Sequence, residues 1–232
     1  MIHWDAGPGY VVAFSTRTGG VSTGPYDSLN LGLLTDDAPA HVRENRRRLC
    51  ERVGADPARL AQNRQVHGDR VNEAIAGERG RDGDGLWTNE PDVPIVALSA
   101  DCLPVALAAT DGEPRLAVLH VGRAGLLDGI VRAGRDVFDG AAVRAVIGPG
   151  IGPCCYEVGD EIRAAYHARF GEAVIHGRRL DLWTATELAL RESDVADVER
   201  ADLCTACNPE LFFSHRRDAG VTGRQGVIGY VA

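Results

Sequence analysis

A chain of 232 residues with 44% hydrophobic and 25% charged residues has the make-up of a globular protein, and no apolar run approaches the ~18 residues of a membrane span. The formal net charge of −8 is spread along the chain, which argues against a nucleic-acid binder with its basic face. All 25 basic residues are arginine, so neither a lysine Schiff base nor a phosphate-loop lysine is available. The N-terminal stretch MIHWDAGPGY lacks the basic and apolar regions of a secretory signal, which implies a cytoplasmic protein whose six cysteines stay reduced. Those thiols are then better read as metal ligands or catalytic groups than as disulfide partners.

In chain order, Val11–Phe14 reads as a first strand, followed by a Gly-rich loop from Thr16 to Gly24. A helix is expected from Asp36 or Asp37, either of which can cap it, to Val53, with Gly54 ending it. Strands are expected near Leu60–Val66, Pro94–Ser99, Leu103–Ala109 and Arg115–Val121, and the Gly77–Gly85 segment reads as a surface loop. Helices near Leu126–Phe138, Glu157–Phe170 and Leu182–Glu192, and buried strands at Val143–Ile147 and Gly226–Val231, complete a mixed α and β domain. With no repeat and no low-complexity linker, residues 1–232 read as a single domain.

The informative chemistry lies beside Asp111-Gly112, a strong hairpin signal between two apolar runs. A two-residue turn sets Cys102 opposite Val121, whereas a three-residue loop sets it opposite His120. Only the second register, or a bulge, puts Cys102 and His120 on one face, where they can share an ion or form a thiolate–imidazole pair. His67, in Gln65-Val66-His67-Gly68, ends another predicted strand. One thiolate and two imidazoles suit zinc with a fourth position left open.

The remaining cysteines are less decisive. Cys204 and Cys207 form a CxxC, and Cys154 and Cys155 are adjacent in a Gly-Pro loop. A four-cysteine zinc site is conceivable, but adjacent cysteines rarely share an ion comfortably, so buried or near-site thiols are the preferred reading. Cys50 reads as core. Gly148-Pro149-Gly150-Ile151-Gly152-Pro153 lacks the phosphate-loop pattern, and its prolines remove backbone donors; it reads as a turn lining a pocket. Anion binding then falls to arginines, with Arg17, Arg46, Arg216, Arg217 and Arg224 in or beside loop motifs.

The ordered series FSTRTGGVSTGPYDSLNLG, ENR, QVHG, SADCLPV, LHVGRAG, IGPGIGPCCYEVG and CTACNPELFFSHRRDAGVTGRQG resembles the laccase-domain family over almost the full length. Members have been described as multicopper polyphenol oxidoreductases, as purine nucleoside phosphorylases with adenosine deaminase activity, and as peptidoglycan editing factors. The resemblance implies an α+β fold, a layered α/β/β/α sandwich with mixed sheets, and a zinc ion held by His67, Cys102 and His120. It also implies that Asn45, Arg46, Arg17 and Ser22 lie near the substrate. One departure stands out: the usual His-Ala-Gly-Trp-Arg-Gly is here His120-Val121-Gly122-Arg123-Ala124-Gly125. A stacking surface is lost, and Arg123 is left to reach the same anion from one position earlier.

The leading expectation is a zinc-dependent purine nucleoside enzyme. It would phosphorolyse adenosine, inosine and methylthioadenosine to free base and ribose 1-phosphate or methylthioribose 1-phosphate, with small-molecule nucleoside and phosphate as its partners. Adenosine deamination would use the same open position and a carboxylate to shuttle protons, for which Asp101 beside Cys102 is nearest in sequence; its alternative is to orient a ligand. In a second reading Cys102 and His120 act without metal as a hydrolase or amidase on a peptidoglycan precursor. Copper-dependent polyphenol oxidation fits worst, because seven scattered histidines are too few for several coppers. A non-enzymatic partner-binding role draws its support from the altered HVGRAG motif.

Overall fold

Two apolar sheets packed face to face, each covered on its outer side by helices, explain why the central strands have no solvent face. The computed structural model describes residues 1–232. The first half comprises β1 (Ile2–Trp4), β2 (Tyr10–Phe14), α1 (Pro39–Arg52), β3 (Ala61–Arg64), β4 (Val71–Glu73), β5 (Arg79–Asp82), β6 (Gly85–Thr88) and β7 (Ile95–Ser99). There follow β8 (Leu103–Ala109), β9 (Leu116–Val121), α2 (Arg123–Asp128), α3 (Ile130–Asp136), β10 (Val143–Ile147) and α4 (Asp160–Phe170). The chain closes with β11 (Ile175–His176), β12 (Arg179–Leu180), α5 (Leu182–Glu192), β13 (Asp197–Arg200) and β14 (Gln225–Val231). One six-stranded sheet has the order β1-β2-β14-β7-β3-β5, the other β13-β10-β8-β9-β6-β4, and both mix parallel with antiparallel pairs. No helix is long and apolar enough to cross a membrane.

Strand alternation sorts the core into three layers. Val12, Phe14, Ile95, Ala97 and Val227 of one sheet meet Ala106, Ala108, Leu116 and Val118 of the other. The opposite face of the first sheet packs Ala13, Val96, Leu98 and Ile228 against Leu49, Cys50 and Val53 of α1. On the second sheet, Leu103, Val105, Leu107, Leu119 and Val121 turn outward against α2, α3 and α5. The result is the expected α+β, α/β/β/α arrangement, and strands clothed on both faces read as continuous apolar runs.

Several boundaries differ from the sequence reading. Helix α1 begins at Pro39 after Ala38, because proline is suited to the first helical turn. Asp37 does not cap it; its carboxylate accepts from Ser22 Oγ at 2.6 Å and Asn30 Nδ2 at 2.9 Å. Gly54 does follow the helix end, at φ 75°. The helix expected over Leu126–Phe138 is two shorter ones, divided where Gly129 takes φ 110°. Helix α4 starts at Asp160 rather than Glu157, which bridges to Arg179 instead. The 77–85 segment is not a plain surface loop: it holds β5 and opens β6. Short β1, β4 and β13 carry too few residues for a visible period.

The hairpin takes neither register considered above. Leu103 pairs with Val121 and Pro104 with His120, so Cys102, one step before β8, stands opposite Gly122. His120 is then two residues away diagonally. Two steps preserve the face, so Cys102 and His120 both point toward the gap between the sheets.

Candidate metal centre

At one end of that gap His67, Cys102 and His120 converge, with their ligand atoms all within 4.8 Å of one another. Each comes from a different local device. His120 is the penultimate residue of β9 and is buried; Cys102 is half-buried after a turn in which Asp101 takes φ 89°; His67 is exposed and holds φ 63°. Left-handed backbone at two non-glycine residues beside one cluster is costly and typical of functional sites. The two imidazoles meet edge to face, with ring centroids 4.8 Å apart.

Space for this convergence comes from glycine. A β-carbon at Gly122 would lie 3.1 Å from His67 Cδ2 and 3.2 Å from Cys102 Sγ. At Gly125 it would lie 2.6 Å from the carbonyl oxygen of Gly68, so the His67 loop can rest directly on α2. These are the glycines of the HVGRAG motif, and their spacing serves the site.

Asp84 is the residue that sequence reasoning missed. Its buried carboxylate accepts from His120 Nδ1 at 2.7 Å and from the backbone N–H groups of Val66, His67 and Gly68 at 2.9, 3.0 and 2.9 Å. Burial would raise its pKa, but the bonds from His120, Val66 and Gly68 outweigh it and hold the group below the usual carboxylate range. An ionised Asp84 engages Nδ1–H of His120 and leaves the Nε2 lone pair free to bind a metal, the arrangement common behind metal-bound histidine. The only hint in sequence was a carboxylate directly before the apolar run of β6.

The donors carry matched charge. Burial disfavours the Cys102 thiolate, but facing His120 and His67 overrides it and brings the thiol down to about 6. Burial likewise disfavours a charged His120, yet Cys102 and Asp84 raise it to about 9. The ligand set is therefore primed to present a thiolate, the form that binds metal. A thiolate, two imidazoles, an oriented second nitrogen and a cradle without β-carbons fit a zinc ion with one open position. A multicopper centre would need further imidazoles, and of the other histidines only His215 lines the adjoining cavity.

That cavity, of about 810 Å³, has the size of a small-molecule site. Arg46, Arg64, Arg79, Arg123, Arg216 and Arg224 line it, against one carboxylate, Asp101. Of the six only Arg64 has an ion-pair partner, Asp82 at 2.6 Å. Burial, with Arg79 nearby, lowers Arg46 to about 10, so its charge persists at neutral pH. A chain with net charge −8 thus builds a cationic chamber, which suits an anion such as phosphate.

The expected substrate residues divide. Arg46 and Arg123 line the cavity, whereas Arg17, Ser22 and Asn45 do not. Asn45 accepts from Val21 N at 2.9 Å and donates to Ser22 Oγ and the carbonyl of Asn30, both at 2.8 Å. Arg17 donates to the carbonyls of Asp27 and Pro209 and lies over Phe213. These three organise the Gly-rich loop. Among the other loop arginines, Arg216 and Arg224 reach the cavity, while Arg217 is spent on Asp218 and two carbonyls. Asp101 has both oxygens engaged, by Thr205 Oγ1 and by Arg216 N, each at 2.6 Å.

Two facing mixed sheets with a three-donor centre at their open end define a class of layered α+β protein, and comparison assigns it. Residues 11–231 match the family model described as multi-copper polyphenol oxidoreductase laccase. The chain is 37% identical over 231 residues to a purine nucleoside phosphorylase of Pseudomonas aeruginosa, covering 95% of this chain and 93% of that protein. It is 36% identical over 233 residues to the purine nucleoside phosphorylase YfiH of Escherichia coli, with the same coverage. The crystal structure of YlmD from Geobacillus stearothermophilus matches with a TM-score of 0.90 and 32% identity, over 97% of this chain and 93% of that one. This chain belongs to the multi-copper polyphenol oxidoreductase laccase family.

Proposed function

We propose that this protein is a zinc-dependent purine nucleoside phosphorylase, accepting inosine, adenosine and methylthioadenosine. The observation that carries the reading is the juxtaposition of an open three-donor centre with a chamber of six arginines, five of which lack a carboxylate partner. Relatives of similar length named purine nucleoside phosphorylases support it. When bound, zinc supplies a Lewis acid with a free position for a substrate oxygen.

The chain's own residues do the rest. His67, Cys102 and His120 hold the ion, and Asp84 fixes the tautomer of His120. Arg46, Arg123 and Arg224 bind and orient phosphate toward the ribose C1′, where a C–O bond forms as the C–N bond to the base breaks. Asp101 acts as a positioning residue, since both its oxygens are occupied by the Thr205 and Arg216 segment. Deamination of adenosine at the same centre is a secondary activity, because it needs a free carboxylate that Asp101 supplies only by giving up one of those bonds.

The test is hypoxanthine release from inosine by zinc-loaded protein with and without phosphate. Phosphate-dependent release, abolished by His67→Ala, is expected. Equal release without phosphate, or none from any of the three nucleosides, refutes the proposal. Stoichiometric zinc without thiol-specific inactivation would exclude Cys102 as a nucleophile.

A further inference from the structure

A second group of metal-capable side chains lies in two loops bordering the cavity. Cys154 and Cys155 follow the turn after β10, and Cys204 and Cys207 follow β13. The sequence argued against these four acting together, because adjacent cysteines share an ion awkwardly. The fold removes that objection. The 152–155 segment closes into a turn, with Cys155 N donating to Gly152 O at 3.0 Å, and both adjacent thiols reach one partner. Cys207 Sγ lies 3.5 Å from Cys154 Sγ and 3.3 Å from Cys155 Sγ, and all four sulfurs lie within 4.8 Å of one another.

We propose that Cys154, Cys155, Cys204 and Cys207 form a second, tetrathiolate zinc site that clamps these two loops together. Zinc–sulfur bonds of about 2.3 Å in a tetrahedron set neighbouring sulfurs about 3.8 Å apart, within the range spanned by this cluster. A single disulfide would need only two of these thiols, whereas four converge. Gly152 N–H donates to Cys204 Sγ at 3.3 Å, and such donors stabilise a metal-bound thiolate. Four protein donors make a closed, structural site, in contrast to the open three-donor centre. Its position gives it work: Thr205, between two of the ligands, holds Asp101, and Tyr156, next to Cys155, lines the cavity. A parallel bridge from Gly150 to Cys204 already joins the loops.

The experiment measures zinc by elemental analysis in full-length protein reconstituted with zinc chloride. Two zinc ions per chain are expected in the parent. One is expected in His67→Ala/Cys102→Ser and one in Cys154→Ser/Cys207→Ser, whose substituted side chains are exposed. Cobalt loaded into His67→Ala/Cys102→Ser should show the intense charge-transfer bands of four thiolates. This keeps the proposal testable if the second variant misfolds. A natively folded His67→Ala/Cys102→Ser protein that binds no zinc overturns the proposal, as does iron in the site or a two-dalton mass loss marking a disulfide.

Discussion

Replacing Asp84 by asparagine tests the scaffold behind the proposed metal centre. The carboxylate receives four donors: His67 N and His120 Nδ1 on one oxygen, Val66 N and Gly68 N on the other. An amide keeps one oxygen and turns an NH2 toward the other pair, so rotation strands either Val66 N and Gly68 N, or His67 N alone with His120 switched to the tautomer that accepts at Nδ1. Each stranded buried donor costs about 1–3 kcal/mol. Val66 is 48% exposed, so water can serve part of its loop, and the total should lie near ~1–2 kcal/mol, the low end of that range for one or two donors. Loss of the oriented imidazole should weaken zinc binding by about 10–100-fold. Denaturant unfolding of metal-free protein reads the first quantity, and competition with a chromophoric chelator reads the second. A pH series adds a sign. The folded-state pKa of Asp84 is depressed, so its stabilisation is present above ~3.9 and fades as pH falls through the folded value. Metal-free parent should therefore lose more stability than Asp84→Asn on acidification. Parent-like zinc affinity in a folded Asp84→Asn protein would refute the orienting role.

Other outcomes follow from the same geometry. Gly122→Ala should fold, because φ −87° suits alanine, yet bind zinc at least about tenfold more weakly, since its methyl presses on His67 and Cys102; calorimetric zinc titration checks this. Alkylation of Cys102 in metal-free protein by iodoacetamide, read by peptide mass spectrometry, should rise through a pKa near 6 rather than 9 and be blocked by zinc. Arg224→Ala should raise the KM for phosphate about tenfold or more while leaving zinc content unchanged; an unchanged KM would remove this arginine from phosphate binding.

Much of this protein was legible locally. The apolar runs of β7, β8, β9 and β14 appear in sequence because strands covered on both faces must be apolar throughout. Cys102 and His120 could be brought near each other from a hairpin signal, and the motif series pointed to His67. The register was not legible: the turn closed two residues away from the arrangement that would have set Cys102 directly against His120, and Gly122 took that place. Parity survived the shift, which is why the shared face was still correct.

The apolar pattern and the chemistry of single motifs depend on neighbours along the chain, and both could be read from the residues alone. Tertiary structure alone decided which distant groups meet. Asp84, 36 residues from His120, became its partner only when β6 paired with β9. Arginines scattered over an acidic chain became a cationic chamber because folding turned them into one cavity. Cys154 and Cys207, 53 residues apart, came together because β10 and β13 run parallel and deliver their following loops to the same edge. Local propensity carries no information about such encounters; the paths of the two sheets do.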